Sequence, residues 1–294
     1  MISCINLLGG NNMNQTQDFT KGVIWKQLLF FFFPILIGSF FQQLYNTVDT
    51  IIVGQTVGTS ALAAVGSTGN LTNLIINFYV GLSTGASVVI AQYYGAQNNK
   101  KIHQAVHTSY SLAIVSGILM MLFGLFFSYQ CLDAIGTPHD ILNDATLYMQ
   151  LYFLCMIPGA IYNIGAGILR AVGDSKRPLY YLIVCSIVNV IFDFIFVVIF
   201  HQGIAGAAIA TVIAQSVCAI LVTIQLMRTN EVYKLKLSKM KFHLPVLKKI
   251  IMIGAPAGIQ STMYSISNIV LQSHINAFGT QTIASWSVYV KIDA

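Results

Sequence analysis

The chain has 294 residues, of which 56% are hydrophobic and only 8% charged. A soluble domain carries about a quarter charged residues, so this composition excludes a soluble enzyme. Fifteen Lys and Arg against nine Asp and Glu give a formal net charge of +6, but long uncharged stretches separate the basic residues, which excludes the continuous basic face of a nucleic-acid groove. Cys4, Cys131, Cys155, Cys185 and Cys218 are odd in number and lack Cys-x-x-Cys spacing, so they read as small apolar residues and not as a disulfide framework or a zinc site.

A hydrocarbon core about 30 Å thick takes roughly twenty helical residues to cross. Residues 1–27 form a polar tail that is assigned no structure, with Met13 as an alternative start to Met1. Apolar runs then follow at about Leu28 to Gly54, Ala61 to Ala91, Ala105 to Ser128, Ile141 to Leu169, Leu179 to Phe200, Ile204 to Met227 and Ile250 to Phe278, and Gln281 opens an eighth. Several exceed a minimal span, so tilt or protrusion is expected. The first is too long for the apolar region of a signal peptide and lacks a small-residue cleavage site, so it stays as a helix. The division expected is an all-α integral membrane protein. Residues 28–227 form a six-helix lobe, 228–249 a basic connection, and 250–294 the opening of a second lobe, with helix seven and an incomplete helix eight.

Orientation follows from alternate connections, since Lys and Arg accumulate on the cytoplasmic side. Lys21 and Lys26 precede run one, Lys100 and Lys101 follow run two, and Arg170, Lys176 and Arg177 follow run four. Arg228, Lys234, Lys236, Lys239, Lys241, Lys248 and Lys249 follow run six, and the intervening connections hold no Lys or Arg. The N-terminus is therefore expected in the cytoplasm of a multi-pass protein of the cell (inner or plasma) membrane. The Arg228 to Lys249 stretch reads as a solvated loop near anionic lipid.

A weak repeat is present. Pro34, Asn46 and Val48, followed by Gly58, Thr59 and Ala63, align with Pro256, Asn268 and Val270, followed by Gly279, Thr280 and Ala284, after one deletion. Both copies start from the same face, which implies parallel six-helix units of the kind that build transporters.

An ionised side chain at bilayer depth costs several kcal/mol, so each one is a functional candidate. Asp49 is the only charged residue between Lys26 and Lys100, and Asp193 the only one between Arg177 and Arg228. Counting from the outer ends of their runs puts both roughly 8 to 10 Å deep, and Tyr148 and Thr211 reach the same layer. Asn189 lies one helical turn from Asp193 on the same face. Two carboxylates in such a layer would share a proton or bind a small cation through oxygen ligands. The alternative is that each Asp bonds locally, caps a turn or reaches the headgroups.

Asn70, Asn73 and Asn77 share one face of run two, and Gln260, Tyr264, Asn268 and Gln272 repeat every four residues in run seven. They line a cavity or join helices by hydrogen bonds. The cavity-lining candidates are Gln42, Asn46, Asn73, Asn77, Gln260, Tyr264, Asn268 and Lys291. Gly81-x-x-x-Gly85 permits close helix approach. No His-Glu-x-x-His, Gly-x-Ser-x-Gly or phosphate loop occurs, so no catalytic residue and no enzyme activity are expected.

Five segments together resemble the multidrug and toxic compound extrusion (MATE) family. They are Pro34 to Gly54 (PILIGSFFQQLYNTVDTIIVG), Thr59 to Gly66 (TSALAAVG), Arg170 to Pro178 (RAVGDSKRP), the Asn189-x-x-x-Asp193 pair and Gly203 to Thr211 (GIAGAAIAT). The resemblance implies twelve helices in two lobes around a central cavity, and cation-coupled export of amphipathic, often cationic drugs by alternating access. It implies coupling residues at Asp49, Tyr148, Asn163, Asn189, Asp193 and Thr211, with sodium, if that is the ion, at Asp49, Asn189, Asp193 and Thr211. Asn163 rests on the motif alone, and Leu271 stands where the repeat would place a partner for Asp49. No cofactor is expected beyond the coupling ion, proton or sodium. The partners expected are lipid and small amphipathic or cationic substrates, with no nucleic acid, for a monomer.

Two rival readings remain: a flippase for a lipid-linked precursor, which needs several cavity cations where Lys291 alone is in view, and a membrane scaffold or receptor with no use for the two Asp residues. Run eight covers fourteen residues, about 21 Å of the core, before Ala294. The 294-residue chain is therefore expected to insert without transporting, as part of a protein of roughly 450 residues by family resemblance, since backbone ends are not tolerated in lipid.

Overall fold

The computed structural model describes residues 24–293, without the side chains of Ile24, Tyr264 and 291–293. Nine α-helices follow in order: α1 (Ile24–Thr56), α2 (Thr59–Gly95), α3 (Asn99–Ala134), α4 (His139–Phe153), α5 (Met156–Ala171), α6 (Lys176–Asp193), α7 (Gly203–Arg228), α8 (Leu244–Asn276) and α9 (Thr280–Asp293). A helix satisfies its own backbone groups, which is why an apolar chain without water at its flanks takes this form. Five single helices, with the α4–α5 pair as a sixth, are long and apolar enough to cross a membrane. The polar residues of α8 keep it outside that set despite its 33 residues. At about 50 Å, α1 exceeds the core as expected, and it already includes Ile24 to Gln27, which the sequence reading left in the tail. Trp25, Leu28, Phe30, Phe33 and Phe40 on its outer face are exposed, an apolar stripe suited to lipid.

Two expected spans are not continuous. Run four breaks between Phe153 and Met156 and bends by 45°. Pro158 explains the break: it lacks an N–H and its ring crowds the carbonyl of Leu154. Run five changes register directly after Asp193, where Phe194–Ile199 form a π-helix and the Phe200 N–H donates to Ile195 O, five residues back, at 2.9 Å. By contrast Pro34 and Pro256 sit inside unbroken helices.

The repeat is visible in the backbone. α1 and α8 are both 33 residues long. Gly58 and Gly279 take positive φ (107° and 86°) immediately before α2 and α9, at a sharp reversal that only glycine adopts at low cost.

The basic connection is not a loose solvated loop. Residues 229–243 run back over the end of α3 as a strap, and Leu244 to Lys249 already belong to α8. Tyr233 and Leu235 are buried, and Leu235 N–H donates to Leu226 O at 2.8 Å. The Lys236 N–H donates to His107 Nε2 (3.1 Å), and the His243 N–H to Thr108 Oγ1 (3.2 Å).

The main core lies among α2, α3, α4 and α5, with Ile90, Tyr110, Phe153 and Ile168 among its buried residues. The most extensive helix contact joins α2 to α8. A Cβ on Gly81 would lie 2.2 Å from Gly258 Cα, and one on Gly85 would lie 2.6 Å from Gly254 Cα, so glycine faces glycine along this seam. Asn77 Nδ2 donates to Ser265 Oγ (2.9 Å) and Asn70 Nδ2 to Gln272 Oε1 (3.1 Å) farther along it. For these residues the helix-joining role applies.

Candidate functional site

A cavity of about 420 Å³ opens among α1, α2, α5, α6 and α7, with Trp286 of α9 at its edge. Gln42, Asn46 and Asp49 recur along α1 at helical spacing, which puts them on one face, and all three line the cavity together with Asn73 of α2. Tyr148 and Thr211 also reach the wall.

Asp193 and Asn189 stand behind that wall. They are 0% and 1% exposed, one turn apart on α6. Asn189 Nδ2 donates to Thr211 Oγ1 at 3.5 Å, while the Thr211 hydroxyl donates to Ala207 O at 3.1 Å. Neither carboxylate oxygen of Asp193, nor Asn189 Oδ1, meets a hydrogen-bond donor among the described residues. Buried acceptors without donors are costly, because they lose water and gain nothing in return. The geometry therefore sets Asp49 at the cavity surface with Tyr148 and Thr211, and Asp193 off it, fully buried one turn from the Asn189 that bonds Thr211. The π-helix that starts at Phe194 ends the regular turn at the point where Asp193 is held.

Asn163 lines the same cavity, but its amide is used locally. Asn163 Nδ2 donates to Gly159 O (2.9 Å), and the Asn163 backbone carbonyl accepts from Ser83 Oγ (2.7 Å). Fifteen residues separate it from Tyr148, roughly 20 Å of helix, across the bend after Phe153.

Three expectations for the cavity are corrected. Asn77 is held by Ser265 in the seam and does not line the cavity. Gln260 is exposed and off the cavity, and Asn268 contributes only its carbonyl, to Asn70 Nδ2 (3.4 Å). The reason is geometric: a four-residue period drifts by about 40° per step on an α-helix, so a row beginning at Gln260 has turned by about a third of a circle at Gln272. Of that row Gln272 reaches the cavity. Tyr264 and Lys291 lie outside the described side chains.

Several lining residues escaped the sequence reading: Tyr45, Tyr152, Gln215 and Arg170. Tyr152 and Gln215 are one turn from Tyr148 and Thr211, a spacing that was available in the sequence. Arg170 was counted with a polar connection, yet it ends α5 and turns into the cavity. Among the described residues no cluster of three or more His, Cys, Asp or Glu could hold a metal ion. An oxygen set from Asp49, Asn189, Asp193 and Thr211 mixes carboxylate, amide and hydroxyl ligands, the kind a hard cation takes.

Comparison with known proteins gives a consistent result. The model of the MatE family matches residues 34–195. The probable multidrug resistance protein YoeA of Bacillus subtilis is 29% identical over 286 residues, covering 94% of this chain and 61% of that protein. The multidrug export protein MepA of Staphylococcus aureus (strain NCTC 8325) is 23% identical over 278 residues, covering 95% and 62%. The solved inward-facing conformation of a multidrug resistance MATE family transporter of the MOP superfamily aligns with a TM-score of 0.79 at 27% identity, over 85% of this chain and 57% of that one. An outward-facing conformation aligns with the same TM-score at 26% identity, over 86% and 57%. The chain thus spans 61% and 62% of the length of the two curated relatives.

Proposed function

The chain belongs to the MatE family, a family of transporters and not of enzymes, and we propose that it forms the ion-binding lobe of a cation-coupled antiporter that exports amphipathic, often cationic compounds by alternating access. The observation that carries this reading is Asp193, fully buried with neither carboxylate oxygen bonded, behind a cavity whose wall holds Asp49. Two carboxylates in one low-dielectric site repel each other, and a proton or a sodium ion between them relieves that repulsion. Asn189 and Thr211 supply further oxygens for the ion, and Tyr148 a hydroxyl. Asn163 belongs to the same site by family resemblance and serves the cavity wall.

In this reading the end of the bundle that carries the basic connections faces the cytoplasm, and the protein is a multi-pass component of the cell membrane. Residues 28–227 form one lobe and 250–294 the opening of a second, joined by the strap. The partners are lipid, the exported compound and the coupling ion, and the working unit is one polypeptide. A flippase for a phosphorylated lipid precursor would need a set of cavity cations, and among the described residues Arg170 is the only one on the wall. A scaffold gives no reason to bury Asp193 in this state.

The deciding experiment uses proteoliposomes with sodium and proton gradients imposed separately, for the 294-residue chain and for a form completed to the relatives' length. The completed form is expected to expel a cationic amphiphile under one of the gradients, and the 294-residue chain is not. Failure of both gradients to drive export by the completed form overturns the proposal.

A further inference from the structure

The end of the cavity away from Asp49 has a different chemistry. Arg170, in the last turn of α5, is half-buried and lines both the cavity and a second, more open space of about 500 Å³ between α1, α2 and α5. Ser39, Gln42, Val80 and Asn163 border both spaces as well, so Arg170 stands where the two meet. Asp174, one turn ahead, is the nearest acid in sequence, but its carboxylate is taken: Oδ1 accepts from the Arg177 N–H (3.1 Å) and Oδ2 pairs with the Arg177 guanidinium (3.1 Å). Tyr162 OH donates to Pro178 O (3.2 Å), and the Asn163 amide donates to Gly159 O. Among the described residues no carboxylate pairs with Arg170 and no acceptor is bonded to its guanidinium. The helix C-terminus favours a cation here but leaves the outward N–H donors unused.

We infer that Arg170 forms an anion-binding subsite at the basic end of the cavity, which takes the carboxylate or phosphate group of an amphipathic ligand. A guanidinium presents a planar fork of donors that matches a carboxylate or phosphate in two parallel bonds. Ile35, Leu179 and Leu182 supply apolar wall for the rest of the ligand. Along α1, seven residues separate Gln42, which borders the Arg170 space, from Asp49, roughly 10 Å of helix. The cavity is therefore bipolar, acidic at one end and basic at the other. A compound with a cationic group at one end and an acid at the other matches both, whereas a purely cationic compound leaves Arg170 unmatched. As a statement about exported compounds this rests on the antiporter reading; as a statement about binding it does not.

The test is equilibrium binding without any ion gradient, with the 294-residue chain in phosphatidylcholine nanodiscs. The probes are a fluorescent amphipathic carboxylate and its uncharged methyl ester. The wild-type chain is expected to prefer the acid by about tenfold, a typical margin for a charge-assisted pair. Arg170→Gln is expected to erase the preference while leaving ester binding unchanged, and Arg170→Lys to keep part of it as a point charge. Phosphatidylglycerol added to the discs separates the two sources of the anion. If a lipid headgroup is the occupant, it weakens acid binding to wild type and not to Arg170→Gln. If a soluble acid is the ligand, it changes neither. Equal affinity of wild type for acid and ester, or an acid preference that survives Arg170→Gln, overturns the inference. Because no gradient is applied, failure of coupled export leaves this result standing, and loss of the acid preference leaves coupled export standing.

Discussion

α1 and α8 are related by the repeat, with equal length, an interior proline and a Gly-Thr junction at the far end, yet they meet the rest of the molecule in opposite ways. α1 leans mainly on α6 and sets Gln42, Asn46 and Asp49 on a cavity wall. α8 lies backbone to backbone against α2 through Gly254 and Gly258. At the position equivalent to Asp49 it has Leu271, which is 45% exposed. The duplicated frame fixes where the chain bends and reverses, while side-chain size decides whether a helix closes on its neighbour or leaves room for ions and ligands. Glycine on both partners removes the room, and a carboxylate with amides at helical spacing requires it.

The strongest way to break this comparison is at the carboxylates. Asp193→Asn and Asp49→Asn, each in the form completed to the relatives' length, are expected to reduce gradient-driven efflux to background with insertion unchanged. The amide keeps the shape but neither carries a charge nor releases a proton. Wild-type efflux by either variant removes that residue from the coupling site.

The next effect is on the seam. Gly81→Leu places atoms where Gly258 Cα stands, so the two helices must separate, at a cost of about 3 kcal/mol or more. Thermal unfolding in detergent should shift down, and a disulfide between cysteines placed at positions 77 and 265 should no longer form. Gly69→Ala, where a Cβ would meet nothing within 4 Å, is the matched control and is expected to leave both readouts unchanged or slightly raised.

A smaller change is expected from Thr211→Val, which removes the acceptor of the Asn189 amide and one oxygen near Asp193. Loss of one such bond is worth about 1 kcal/mol, so the concentration of coupling ion giving half-maximal efflux should rise about fivefold. The smallest effect is expected from Leu271→Asp, which restores a carboxylate at the repeat position. In the form completed to the relatives' length, checked as purified and inserted protein, the number of ions coupled per substrate should stay the same, because among the described residues no second buried carboxylate accompanies α8 as Asp193 accompanies α1. A second coupled ion would show that the repeat alone specifies a site.

Much of this architecture could be read from residue order. The uncharged runs mark the helices, and the alternation of basic connections matches the two ends of the bundle. Counting residues from the ends of two runs put Asp49 and Asp193 in one layer, and Gly81 and Gly85 announced a close approach. Their partners did not show, because Gly254 and Gly258 lie inside a run that reads as one continuous span, where nothing local tells which glycine serves a neighbouring helix. Run four reads as one span despite Pro158, because only the fold distinguishes this proline, which breaks its helix, from Pro34 and Pro256, which their helices absorb. Arg170 is the clearest case of a lost signal. A basic residue at a helix end satisfies the orientation rule, and nothing local reveals that its side chain turns inward.

The strap over α3 bears on how α8 finds its place. Fifteen residues lie between Arg228 and Leu244, and as free chain their ends would range over about 20 Å. Fastened at Leu235, Lys236 and His243, they release α8 from a fixed point close to the end of α2, so the helix meets the Gly81 and Gly85 surface with most of its search already done. Closing a free loop of that length carries an entropic cost on the order of 2 kcal/mol, which the buried Tyr233 and Leu235 and the strap's hydrogen bonds offset. The segment with the most positive charge thus acts as a splint, setting the register of a contact that lies several turns away from it.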